Sequence, residues 1–106
     1  MSPKKPPAIT TKIEEHRLKG KRRGAVLKEQ VWFEDGKITH YSLAYINLNQ
    51  CSVDHGRVLG YDNSHNYHHR HCMGKVESVQ FTSYTELVER FIEEVHELWR
   101  IEDAKD

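Results

Sequence analysis

Apolar and polar positions change period along this chain, and the changes mark its elements. Val26 to Glu34 and the segment 37–47 alternate loosely between apolar and polar residues, the period of a β-strand. Asp35-Gly36 between them is the type I′ hairpin signal, whose backbone twist matches that of the flanking strands. Pairing about this two-residue loop sets 33 opposite 38 and 31 opposite 40. One face is then expected to collect Val31, Phe33, Ile38, His40, Ala44 and Ile46, and the other Trp32, Tyr41, Leu43 and Tyr45. Segments 57–61 and 75–81 read as a third and a fourth strand. After Ser83-x-x-Glu86, a capping box, the period lengthens: Leu87, Val88, Phe91, Ile92, Val95, Leu98 and Trp99 recur at helical spacing. Segment 11–18 reads as a short helix stopped near Gly20. The expected fold is therefore α+β: a four-stranded, mostly antiparallel sheet with a C-terminal helix packed on one face and a short N-terminal helix.

Length and charge refine this picture. At 106 residues the chain supports one modest core. The domain is expected over 11–102, with a disordered basic, Pro-rich start over 1–10 and a disordered tail over 103–106. The net charge of zero hides an asymmetry: residues 1–28 carry +7, residues 29–82 carry −2 and residues 83–106 carry −5. The basic pole at Lys21, Arg22 and Arg23 can meet phosphates by releasing counterions; the alternative is a solvated pole that neutralises an acidic end. No apolar run is long enough to span a bilayer, and no secretory h-region is present. Cys51 and Cys72, far apart and without CxxC spacing, read as free thiols of a cytoplasmic protein.

The chemistry concentrates in Gly60-Tyr61-Asp62-Asn63-Ser64-His65-Asn66-Tyr67-His68-His69-Arg70-His71, which holds four of the eight histidines. Histidine titrates near neutrality and so carries protons or ligates metal with little help. Cleavage of RNA needs one group to take the 2′-hydroxyl proton, another to protonate the leaving 5′-oxygen, and a cation over the phosphorane. His65, His68, His69, His71, Asp62 and Arg70 are the candidate catalytic residues, and Arg57, Tyr61, Tyr67 and the Lys21/Arg22/Arg23 pole the candidate substrate contacts. If 67–72 is a strand, Tyr67, His69 and His71 share one face, and His68, Arg70 and Cys72 the other. Only one face can line the site, and the sequence does not say which. A metal shared by His69 and His71, or by His68 and His71, with Asp62 and His65 completing the set, is an alternative. The spacings specific for zinc are absent, however, so no metal or cofactor is expected. A third reading makes the cluster a hydrogen-bonded polar loop. His16, His40, His55 and His96 read as structural or solvated, with His40 beside Val31 and His96 at the edge of the helix stripe. The Trp32/Tyr41/Tyr45 face reads as core or interface ahead of a base-stacking platform.

The run Tyr41-Ser42-Leu43-Ala44-Tyr45-Ile46-Asn47, followed by Asp54-x-Gly56-Arg57-Val58-Leu59-Gly60-Tyr61-Asp62-Asn63-x-His65, by Tyr67-His68-His69-Arg70-His71 and by Gly74-Lys75-Val76-Glu77, resembles the TumE-like toxins of bacterial toxin–antitoxin pairs. The resemblance spans roughly residues 26–100. It implies a toxin with a cognate helix-turn-helix antitoxin as partner, and it raises toxin above a generic RNase. RNA is the expected target, through cleavage or another block of translation, and a homodimer is left open. The alternative function is a non-catalytic regulatory module that binds a partner protein or nucleic acid.

Overall fold

The computed structural model describes residues 9–105. Six strands follow one another as an antiparallel meander: β1 (Ile9–Arg17), β2 (Val26–Glu34), β3 (Lys37–Ile46), β4 (Arg57–Asp62), β5 (His69–Cys72) and β6 (Lys75–Ser78). One helix, α1 (Tyr84–Ala104), follows the sheet. The class is α+β as expected, but the sheet has six strands, not four, and no N-terminal helix forms among the described residues.

The two extra strands have physical reasons. A helix of eight residues makes too few hydrogen bonds to overcome its nucleation cost. Ile9, Thr10, Thr11 and Ile13 are instead β-branched, and the segment pairs along all of β2, from Ile9↔Glu34 to Arg17↔Val26. β5 is short, and it gains its place through partners on both sides, β4 and β6. Met73 and Gly74 join β5 to β6, both at positive φ. The α1 helix runs to Ala104, two positions beyond the expected end of the domain; most of the expected disordered start lies outside the described residues.

The Asp35-Gly36 turn forms as read, with φ of 51° and 78°. A β-bulge between Trp32 and Phe33 then changes the register, so that Trp32 pairs with His40 and Val31 with Tyr41. The bulge overturns the expected division of faces. Val31 joins Tyr41, Leu43 and Tyr45 on the face that α1 covers, whereas Trp32 and the exposed His40 turn to the other.

The core lies between that covered face and the helix. Tyr41, Leu43, Tyr45, Leu59 and Tyr61 from the sheet meet Leu87, Phe91 and Val95 from α1. Each such side chain contributes about 1.5–3 kcal/mol by leaving water. Tyr61 meets Phe91 edge-on at 6.4 Å and Tyr45 meets Trp99 at 6.2 Å. Ser83 caps the helix, accepting from the Glu86 amide at 3.1 Å. Ile92, read as part of the stripe, is 47% exposed instead. At the far end Arg22 donates to the Trp99 carbonyl (3.0 Å) and to Asp103 (2.9 Å), a cation at the negative end of the helix dipole. Among the described residues no helix is long and apolar enough to cross a membrane. With α1 on one face, the other face of the sheet carries no helix among the described residues.

Candidate functional site on the open face of the sheet

Antiparallel pairing of β4 with β5 sets Asp62 opposite His69 and Gly60 opposite His71. Strand alternation then sends Asp62, His69 and His71 to the open face and Tyr61, Arg70 and Cys72 to the helix face. Asp62 sits between the two imidazoles: its Oδ1 is 2.7 Å from His69 Nε2 and its Oδ2 is 3.0 Å from His71 Nε2. The Ser64 amide and hydroxyl donate to Asp62 Oδ1 at 3.1 and 2.8 Å. Burial alone would push the Asp62 carboxyl up, but the Ser64 hydrogen bonds and the charges of His69 and His71 outweigh it and hold the group below its ordinary value. His69 is buried, and its Nδ1–H donates to the Tyr67 carbonyl at 3.0 Å, which turns Nε2 toward Asp62. His71 is held below its ordinary value by burial and by Arg57, against the pull of Asp62 and Asp54, so it favours the neutral form. Its Nε2 is buried and, despite the short approach to Asp62, makes no hydrogen bond.

Arg57 closes the cluster. Its Nε donates to Asp54 Oδ2 at 2.7 Å, and its Nη1 lies 3.6 Å from Asp62 Oδ2. Asp62 and Ser64 also line an open cavity of about 570 Å³ whose other walls include Ile9, Trp32, His40 and Ser42.

Of the remaining candidates, only Tyr67 touches this group. Arg70 points under the helix, where Nε and Nη2 bind Glu94 at 2.9 and 2.5 Å and Nη1 binds Glu77 at 3.2 Å. Tyr61 donates to the same Glu94, and the Arg90 guanidinium lies 5.4 Å from its ring centroid. His68 is stacked on Phe81 at 4.0 Å and shares a hydrogen bond of 2.8 Å with the Tyr41 hydroxyl. Burial and the neighbouring His69 push His68 below its ordinary value, and burial with Asp62 pushes Tyr41 up to about 12. His65 is exposed on the loop at φ 60°. Tyr67 is 44% exposed and its ring lies 4.5 Å from that of His69. In the basic pole Arg22 is held by the helix end and Lys21 pairs with Asp103 at 3.5 Å, so part of the pole neutralises the acidic end of its own chain. Arg23 is exposed.

The sequence model of the family described as Toxin TumE matches residues 10–99, nearly the whole described chain. The chain belongs to the TumE toxin family. The matched span holds every residue of the cluster, from Asp54 to His71. A toxin family implies an antitoxin partner. No curated protein and no solved structure matches the chain.

In this TumE family member the open face therefore offers one carboxylate with two imidazoles and one guanidinium each within contact distance of it, beside an open cavity. One imidazole sits near the surface and favours its neutral form; the other is buried against the carboxylate. Asp62, His69 and His71 present one oxygen and two nitrogens that all lie within 4.8 Å of one another, a set that can also hold a cation. Two members escaped sequence reasoning. Asp54 reaches Arg57 from the turn before β4. Ser64 follows Asp62 by two, the spacing of an Asx turn, and that spacing was the available signal.

Proposed function

We propose that this toxin arrests growth by cleaving RNA at the open-face cluster of Asp62, His69, His71 and Arg57. The observation that supports this reading most is the carboxylate of Asp62, which lines a cavity and is held between two imidazoles with a guanidinium beside it. In this scheme His71 takes the 2′-hydroxyl proton while O2′ bonds to phosphorus. Asp62 then stabilises the imidazolium that forms. The P–O5′ bond breaks, and the 5′-oxygen takes a proton from His69, whose buried ring must turn toward the cavity to deliver it, leaving a 2′,3′-cyclic phosphate and a 5′-hydroxyl. Arg57 offsets the charge that develops on the equatorial oxygens. Trp32, half-buried on the same face, offers a ring on which a base can stack. An antitoxin, which the resemblance makes a helix-turn-helix protein, would block this face.

The test is expression without antitoxin. His69→Ala and His71→Ala should each abolish growth arrest, since one proton-transfer group contributes about 10²–10⁴ in rate. His16→Ala and His96→Ala, both exposed, should leave it intact. Circular dichroism of each purified variant separates lost chemistry from lost fold. Folded His69 and His71 variants that still arrest growth would make the cluster structural and favour a binding module.

A further inference from the structure

We propose that Asp62, His69 and His71 together bind one first-row divalent transition ion of the zinc class. Three features carry this. First, the donor atoms converge: Asp62 Oδ1 and Oδ2 lie 2.7 and 3.0 Å from the Nε2 atoms of His69 and His71. Ligands at about 2.0–2.2 Å from a tetrahedral ion stand about 3.3 Å from each other. The three donor atoms lie within 4.8 Å of one another, so side-chain rotations that draw them together by up to about 1.5 Å admit one. Second, one imidazole is held from behind and the other has a carboxylate behind it. His69 Nδ1 donates to the Tyr67 carbonyl at 3.0 Å, and His71 Nδ1 faces the Asp54 carboxylate at 4.0 Å. A carbonyl or carboxylate on the far nitrogen is the usual support of a metal-binding histidine, and it turns Nε2 toward the ion. Third, the buried His71 Nε2 has no hydrogen-bond partner, and a ligand bond would satisfy it.

Charge and chemistry agree on the class of ion. Asp54 and Asp62 against Arg57 leave the cluster one negative charge when both histidines are neutral, which suits a dication. Two imidazoles with one carboxylate favour zinc-like ions over calcium or magnesium, which prefer oxygen alone. The ligands come from adjacent antiparallel strands, with Asp62 opposite His69 and His71 opposite Gly60, over which the Arg57 side chain lies. This is why no linear zinc spacing appears in the sequence. An occupied triad would take His69 and His71 out of proton transfer and would supply a metal-bound water of lowered pKa in their place, so the ion and the histidine-dependent cleavage are alternative states of the site. Binding of the ion does not rest on that cleavage.

The experiment is a Co²⁺ titration of the purified full chain, followed by its visible d–d absorption and by displacement with Zn²⁺. We expect saturation at one equivalent, and a Zn²⁺-dependent rise of the thermal midpoint that EDTA reverses. His71→Ala, at the rim of the cluster, should weaken binding on the order of 100-fold or more, beyond what loss of a supporting residue costs. Asp62→Asn should act likewise, and His96→Ala should bind as the native chain does. Absence of Co²⁺ absorption in the native chain overturns the proposal. So does unaltered binding in folded His71→Ala, which would place the ion elsewhere. Lost ion binding with intact histidine-dependent cleavage would leave the RNA reading standing, and the converse would remove that reading alone.

Discussion

Arg57 precedes the histidine-rich stretch and Arg70 lies within it, and the sheet sends them to opposite faces. Arg70 is engaged with Glu94 and Glu77 under α1, whereas Arg57 crosses the open face toward Asp62. Gly60 makes that crossing possible. A Cβ at position 60 would stand 2.6 Å from Arg57 Cδ and 3.2 Å from the Leu43 carbonyl oxygen. Gly60→Ala should therefore push the guanidinium off the cluster and reduce growth arrest to the level of Arg57→Ala, at a folding cost of about 1–3 kcal/mol. Growth arrest and urea unfolding of both variants check this; full toxicity of Gly60→Ala would mean that the seating of Arg57 is immaterial. The strand period made part of this site legible, because His69 and His71 alternate with His68 and Arg70. Which set meets solvent was not legible, since it depends on the face that α1 chooses. Arg70 has the chemistry of a phosphate ligand, but the carboxylate that claims it, Glu94, is 24 residues away.

Among the elements α1 was the clearest in sequence, because its stripe and its cap agree on one start and one face. Phe91 sits at the centre of the buried stripe, and Phe91→Ala should destabilise the fold by about 3–5 kcal/mol. Chemical denaturation measures this, and a loss under about 1 kcal/mol would mean that the helix does not depend on the Tyr61 contact. The β2–β3 turn was equally legible from Asp-Gly alone. What failed there was the register, because a bulge costs one residue and leaves no residue type that announces it. A single shift then exchanged the environments of His40 and Tyr41. β1 failed for a different reason. Its charges repeat at spacings that fit a helix as well as a strand, and only the ladder along β2 decides between them.

For the whole molecule, the histidines set a pH dependence whose sign is fixed. His68 and His71 both lie below their ordinary 6.5 in the fold. Above 6.5 they are neutral whether the chain is folded or not, and they contribute no difference. Below 6.5 the unfolded chain binds protons that the folded chain resists, so stability declines toward the folded values, by at most about 1.4 kcal/mol per pH unit for each proton. Asp62, held below its ordinary 3.8, acts lower still: its contribution is complete above 3.8 and is lost as pH falls through its folded value. Urea midpoints measured downward from pH 7 should show the histidine descent first, and His68→Phe should flatten it. A level midpoint from pH 7 to 5 would contradict the scheme. One strand has a consequence of another kind. β1 contributes no buried side chain, yet its first residue, Ile9, walls the cavity beside Asp62. Little but the ladder holds it, so it should open far more often than β3 or β4, and its amides should exchange with deuterium orders of magnitude faster. A nucleotide that fills the cavity and leans on Ile9 would slow that exchange. The rim strand is thus a natural gauge of occupancy, readable by mass spectrometry of the peptide that spans residues 9–17, with no modified nucleotide and no turnover.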